Sequence, residues 1–546
     1  MPSKRARLAA AVHFACAAAL AIPAIVSASN NVADRSQTTT PIKHVIVIFG
    51  ENISFDHYFG TYPYATNPRG EPAFHKLDDT PRADNLLSAG LLDQNPNSTQ
   101  PFRMDTGALS VTCDQNHSYT PQQKAVDKGL MDKFPENVGS GSSATSPCND
   151  YGKGVGVTMG YFDGNTVTAL WNYAQHFAMS DNSYGTMYGP STVGALNLIA
   201  GTTAQATLVP LTAKGTAASP AGQIADGIIG ATTGAVIGDP RPGGDECVLT
   251  NPGLQGAAMV TVSGKNVGDL LNARNLTWGW FQGGFAPTGK DSQGRAVCGS
   301  HSVGLAGDDA VTTVGDYIPH HQPFQYYAST QNLKHVRPKD PALIGTSKDG
   351  ANHQYDLKDF WTALGEDRLP SVTYLKAAAY QDGHPGYSDP IDEQQFVVQV
   401  VNGIMNSPYW NDTAIFIAYD DSDGWYDHVL GPVVNQSAVA DDAMVGTGSC
   451  GSSTTATQGR CGYGPRLPLL VISPYARQNF IDHRISDQSS ILRFIEDNWD
   501  LGRIGGSSAD AKAGNLMSLF DFDDHDRASR LILDPKTGVV LSHGHH

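Results

Sequence analysis

The sequence is short of positive charge. Its 36 Lys and Arg stand against 53 Asp and Glu, for a formal net charge of −17 at pH 7. That balance argues against a nucleic-acid footprint or a generally membrane-attracted surface. Cys-x-x-Cys is absent, which turns the cysteine count away from metal and towards disulfides. Gly-x-Ser-x-Gly is also absent, so the nucleophile elbow of the α/β hydrolases is not available. No internal repeat of fixed period occurs, and after the first 28 residues no apolar run is long enough to span a bilayer.

At the amino terminus, Lys4, Arg5 and Arg7 precede an Ala-rich apolar stretch ending in Val26-Ser27-Ala28. The order of charge, apolar run and small residues predicts a cleaved signal peptide over 1–28, and so export to the periplasm or beyond the cell. With no consecutive Arg pair, the general secretory route is expected. Cys16 would leave with the signal. The remaining cysteines are expected to pair in chain order, Cys113 with Cys148, Cys247 with Cys298 and Cys450 with Cys461.

Three short apolar runs read as buried strands: His44–Phe49, Thr413–Tyr419 and Leu467–Ser473. A helix over Asp392–Met405 precedes the second, and one over Ser489–Trp499 follows the third. Asn266–Arg274 reads as a helix leading into a strand over Leu276–Phe281. The alternation predicts an α/β core with at least part of its sheet parallel. A flexible segment is expected over 29–41, one catalytic domain over 42–535, and a tail over 536–546. Insertions at about 61–150 and 202–264 interrupt the domain, the second reading as a subdomain or cap.

Ligand-type side chains gather just past the strand ends, where open α/β sheets bind their ligands. Glu51, Asn52, Asp56 and His57 follow the first strand; Asp420, Asp421, Asp423, Asp427 and His428 follow the second. Adjacent carboxylates such as Asp420 and Asp421 repel unless a cation or proton offsets them. With Glu51 and Asn52 they form an oxygen-rich set suited to a hard divalent cation, although the histidines keep zinc or manganese open. The spacing does not fit an EF-hand. Asp56 and His57 are expected to support the site rather than act in it.

Ser191, after Gly189-Pro190, opens a helix expected over Thr192–Ala200 and closed by Gly201. A serine there is most often a helix cap. It can also be a nucleophile where a metal lowers its pKa and a helix amino terminus favours an anion. His117, His320, His321 and His384 lie in loop-like surroundings and could hold phosphate oxygens or protonate a leaving alcohol; His483 is a weaker candidate of the same kind.

The stretches ENISFDHYFG, GPSTVGALNLIAG, NLTWGWFQGG, PHHQPF, GHPGYSDP, YDDSDGWYDHV and RLPLLVISPYA, in that order between about residues 42 and 500, resemble the bacterial phosphoesterase family. That family contains acid phosphatases and phosphatidylcholine-type phospholipases C and falls in the alkaline phosphatase superfamily. The resemblance implies a mixed-sheet α/β fold with helices on both faces and a cap over the active site. It implies one divalent metal ion held by Glu51, Asn52, Asp420 and Asp421 and touched by Ser191. It also implies a phosphoserine intermediate on Ser191, with His117, His320, His321 and His384 around the phosphoryl and leaving groups. Phospholipases C of this kind usually carry Thr where Ser191 stands and continue into further carboxyl-terminal domains. The expected activity is therefore an exported acid phosphatase acting on small phosphate monoesters, with phospholipase C action on phospholipid headgroups as the alternative and a non-catalytic anion-binding protein as the remote one. No nucleic-acid partner is expected.

Overall fold

HVIVIFG, with its β-branched and aromatic residues and no polar face, forms strand β1 (His44–Gly50), buried along its whole length. It lies at the centre of an eight-stranded sheet. The other strands are β2 (Ala178–Ser180), β3 (Trp278–Gln282), β4 (Gln354–Asp356), β5 (Val372–Lys376), β6 (Thr413–Tyr419), β7 (Leu469–Ile472) and β8 (Phe480–Asp482), in the order β4-β3-β5-β1-β6-β7-β2-β8. β1 runs parallel to β5 and β6, with Val45 opposite Val372 and Gly50 opposite Tyr419. Only β7 runs against its neighbours, so the sheet is mixed but mainly parallel. The carboxyl ends of β3, β5, β1 and β6 consequently open on one side, and that side carries the site.

This computed structural model describes residues 37–104, 111–141, 151–225, 232–304, 314–453, 455–523 and 530–544. The expected signal peptide and Cys148 lie outside them. The Cys247–Cys298 and Cys450–Cys461 disulfides are present. Among the described residues no helix is long and apolar enough to cross a membrane.

Helix ends fall where capping groups stand. Helix α1 is Ser191–Ala200, starting one residue earlier than expected; its cap is Pro190, and Gly201 closes it in the left-handed conformation. Helix α2, Pro390–Met405, starts two residues early because Asp389 accepts hydrogen bonds from the backbone of Ile391 and Asp392 and Pro390 suits the first turn. Helix α3, Gln488–Asn498, is likewise capped by Asp487.

Two of the segments set apart in the sequence differ from their expected character, and a third is folded as a unit of its own. Within 29–41, Thr39 N donates to Asn498 O at 2.9 Å and Thr40 Oγ1 to Asn498 Oδ1 at 2.6 Å, so the last residues are pinned to the end of α3. Within the tail, Val540–Gly544 pairs antiparallel with Arg530–Leu533. The 202–264 insertion supplies a second, five-stranded sheet that includes Arg241–Pro242 and Met259–Val262.

Candidate active site

β1 ends at Gly50 and the chain turns sharply, with Asn52 at φ 59°, a left-handed conformation that asparagine tolerates better than most residues. Its backbone N–H donates to Asp420 Oδ1 at 2.9 Å and its amide Nδ2 to Asp423 Oδ1 at 2.9 Å. Those bonds orient the amide so that Oδ1 faces Ser191 Oγ at 3.4 Å. Beyond β6, Asp420 Oδ1 also accepts from Asp421 N at 2.7 Å, and Asp421 Oδ1 from Asp423 N at 2.7 Å. Each carboxylate thus keeps its second oxygen for the site.

Ser191 is the first residue of α1, not its cap, which frees its hydroxyl. Oγ donates towards Glu51 Oε2 at 3.0 Å and Asp421 Oδ2 at 3.3 Å. The helix can come this close because residue 194 is glycine: a Cβ there would lie 2.1 Å from Asp420 O. Gly194→Ala is expected to cost about 1–3 kcal/mol through overpacking. By displacing Ser191 from Asp421 it should also lower turnover about a hundredfold. Paired denaturation and rate measurements check both.

The charge balance points to a cation. Burial, and next the charge of Asp420, push Glu51 well above the usual carboxylate range. Burial likewise raises Asp421, against the opposing pull of His117. The principal protein cation is Lys376 at the end of β5, which pairs with Glu51 Oε1. Asp420 Oδ2 is buried without a hydrogen-bond partner. Clustered buried carboxylates, an orphaned oxygen and an amide oxygen facing one hydroxyl fit a hard divalent ion held by Glu51, Asn52, Asp420 and Asp421.

All four histidines gather beside this shell. His117 and His384 have ring centroids 5.8 Å apart, His384 and His321 6.5 Å, and His320 and His321 4.3 Å. His117 Nδ1 lies 3.1 Å from Asp423 Oδ1 and 3.3 Å from Asp114 Oδ1. Burial alone would lower His117, but Asp421, Asp114 and Asp423 outweigh it and hold its pKa well up. His321 is the opposite case: burial, then Lys376, lower it strongly. Its Nδ1 faces Glu51 Oε1 at 3.2 Å, and Nε2 is buried without a partner. The pocket therefore sets an imidazole whose pKa its carboxylates raise beside one whose pKa burial lowers.

The remaining candidates lie elsewhere. His57 stacks on Trp425 with centroids 4.0 Å apart and is pushed down to about 3 by burial. Asp56, Asp427 and His428 join Arg466 in a separate buried network. His483 is largely exposed and pairs with Asp181 at 2.8 Å. Site residues that sequence reasoning missed are Lys376, Asp382 and Asp114. Asp382 and Asp114 sit beside quoted histidines; Lys376 had only its place at the end of an unread strand as a signal.

A family model described as "Phosphoesterase family" matches residues 42–502. The chain is 25% identical over 532 residues to a protein of Burkholderia pseudomallei named non-hemolytic phospholipase C, covering 95% of this chain and 65% of that one. It is 24% identical over 500 residues to hemolytic phospholipase C of Pseudomonas aeruginosa, covering 89% of this chain and 57% of that one. The chain thus spans less than two thirds of either relative. A solved protein of the alkaline phosphatase superfamily from Vibrio parahaemolyticus aligns over 67% of each chain at 12% identity, with a TM-score of 0.27. With the match running through both walls of the pocket and the helix that Ser191 opens, the chain belongs to the phosphoesterase family.

Proposed function

We propose that the protein is a metal-dependent phosphoric ester hydrolase of the phospholipase C kind, cleaving phospholipid-type phosphodiesters such as phosphatidylcholine. The observation that carries this reading is the convergence of Ser191 Oγ on Glu51, Asn52 and Asp421 at 3.0, 3.4 and 3.3 Å. The names of the relatives favour a diester over the monoester that the sequence first suggested. Ser191 in place of threonine keeps monoester hydrolysis as the second reading.

In this scheme the Ser191 hydroxyl passes its proton to a carboxylate that it faces, Glu51 Oε2 or Asp421 Oδ2, as Oγ attacks phosphorus in line, its bond to phosphorus forming as the bond to the leaving alkoxide breaks. His117 is placed to give the leaving oxygen a proton, because its carboxylate partners keep it protonated. Water then displaces Ser191 from phosphorus and restores the hydroxyl. His320, His321 and His384 line the space where the phosphoryl oxygens would lie. The amino terminus of α1 adds a favourable dipole. One divalent ion, bound by the four oxygen ligands and touching Ser191, would supply Lewis-acid polarisation.

Hydrolysis of 4-nitrophenyl phosphocholine and 4-nitrophenyl phosphate, with and without chelator, tests this reading. The choline ester is expected to give the higher kcat/KM, and chelation to lower it at least about a hundredfold, reversibly on adding a divalent ion. A higher kcat/KM on the monoester would bring the second reading forward. Donor atoms of Asp114, His117, His384 and Asp423 also lie within 4.8 Å of one another, so metal content per chain is measured alongside; two ions would correct the count. Export is proposed from the amino-terminal pattern and is read by the mature amino terminus of the secreted protein.

A further inference from the structure

The five-stranded sheet of the 202–264 insertion places one guanidinium at the edge of the pocket. Arg241 N donates to Ala258 O at 2.8 Å, and Arg241 pairs with Met259 in that sheet, so its backbone is fixed. The neighbouring carbonyl of Pro240 accepts from Tyr326 OH at 2.6 Å. Asp239 accepts from Thr192 N at 3.0 Å and Thr192 Oγ1 at 2.8 Å, which ties this segment to the residue after Ser191. Arg241–Pro242 also packs against the Pro319–His321 turn. The arginine therefore lies between the start of the nucleophile helix and the His320–His321 pair.

Part of its guanidinium is unpaired. Nε and Nη1 are buried and without a hydrogen-bond partner. Asp239, the carboxylate that most favours its charge, accepts both Thr192 hydrogen bonds through Oδ1. Arginine cannot shed its charge, and a buried charge without a partner is costly. The natural complement is an anionic oxygen of the substrate.

We propose that Arg241 binds a second anionic oxygen of the substrate and, without reversing the preference for phosphodiesters, adds activity on esters with more negative charge than a phosphocholine diester carries. That oxygen can be the third non-bridging oxygen of a phosphate monoester or an acidic group on a lipid headgroup. The inference rests on the phosphoric ester hydrolase reading and narrows its substrate class.

The test compares the full chain with its Arg241→Gln and Arg241→Lys variants, all loaded with metal. Substrates are 4-nitrophenyl phosphate, 4-nitrophenyl phosphocholine, and vesicles of phosphatidylglycerol or phosphatidylcholine. Arg241→Gln is expected to lower kcat/KM on one anionic substrate at least tenfold more than on its choline counterpart, and Arg241→Lys to recover part of the loss. A shift in the nitrophenyl pair identifies the third phosphoryl oxygen; a shift in the vesicle pair identifies the headgroup. Equal losses on all substrates, or none, overturn the proposal while leaving the hydrolase reading intact. If the wild type cleaves no ester, that reading fails, and calorimetry with inorganic phosphate decides on Arg241: at least tenfold weaker binding in Arg241→Gln supports it, and unchanged binding overturns it. Arg241→Gln should unfold at the same temperature as the wild type or higher, because it removes two buried N–H donors that lack partners; a lower temperature would mark the residue as structural and overturn the proposal.

Discussion

Ser191→Ala is expected to remove ester hydrolysis almost completely, by at least about a thousandfold in kcat, on the scale set by loss of a covalent nucleophile. The variant should still fold. Ser191 is buried, but it contributes one small hydroxyl whose hydrogen bonds go to side chains fixed by other contacts, so the stability change should stay near 1 kcal/mol. Metal content should persist, because Asp420 and Asp421 are held by the backbone N–H groups of Asn52, Asp421 and Asp423, the Asn52 amide by Asp423 and Glu51 by Lys376. Three measurements together make the result specific: turnover, metal per chain, and phosphorylated protein after acid quench, which only the wild type should yield. Retained turnover would exclude Ser191 as nucleophile and leave water attack on the ester as the alternative.

The two walls of the pocket were legible because each couples a strong local pattern to a clear anomaly. The buried strands His44–Gly50 and Thr413–Tyr419 can be read from apolar runs, and the carboxylates after them from the cost of placing like charges side by side. That the two strands are adjacent and parallel could be supposed from sequence but not shown, since about 360 residues of chain separate them. Ser191 was legible as a helix start and ambiguous as to role, because a cap and a nucleophile look alike until the first helical residue is located. Lys376 and Arg241 were not legible at all. Each is a single cation whose meaning depends on long-range pairing: Lys376 on β5 lying beside β1, and Arg241 on a strand of two residues within an Ala/Gly/Thr-rich insertion. The YDDSDGWYDHV stretch also divides between two sites, a division its spacing does not announce: Asp420, Asp421 and Asp423 face the pocket, whereas Asp427 and His428 turn away to Arg466.

That second cluster carries the largest expected effect on stability. Arg466 is fully buried; Nε lies 3.1 Å from Asp427 Oδ1, Nη2 3.4 Å from Asp56 Oδ1, and Nη1 donates to the carbonyls of Asp84 and Asp181 at 2.7 and 2.9 Å. The guanidinium also sits over the Phe55 ring at 4.4 Å. Arg466→Met fills much of the volume but removes the guanidinium that pairs with Asp427 and leaves two carbonyls without a donor, which should cost about 3–5 kcal/mol at pH 7. That is a large part of the 5–15 kcal/mol typical of a folded domain. The pH dependence separates charge from packing. In the wild type, burial already raises Asp427 to about 6 although Arg466 opposes it. Without Arg466 its folded pKa rises further above the unfolded value, so the variant gains relative stability as protonation neutralises Asp427 below that pKa. The denaturation gap between variant and wild type should therefore narrow from pH 7 to pH 5, whereas a pure packing defect would leave it constant. The other flank titrates in the opposite range: burial opposes but Asp56 raises His428 to about 10, so its stabilising contribution is complete below about 6.5 and fades as pH rises towards 10. Asp56 retains His428 in the variant, so the alkaline loss should appear in both proteins, and its absence from both would remove the Asp56–His428 pair from the account of stability.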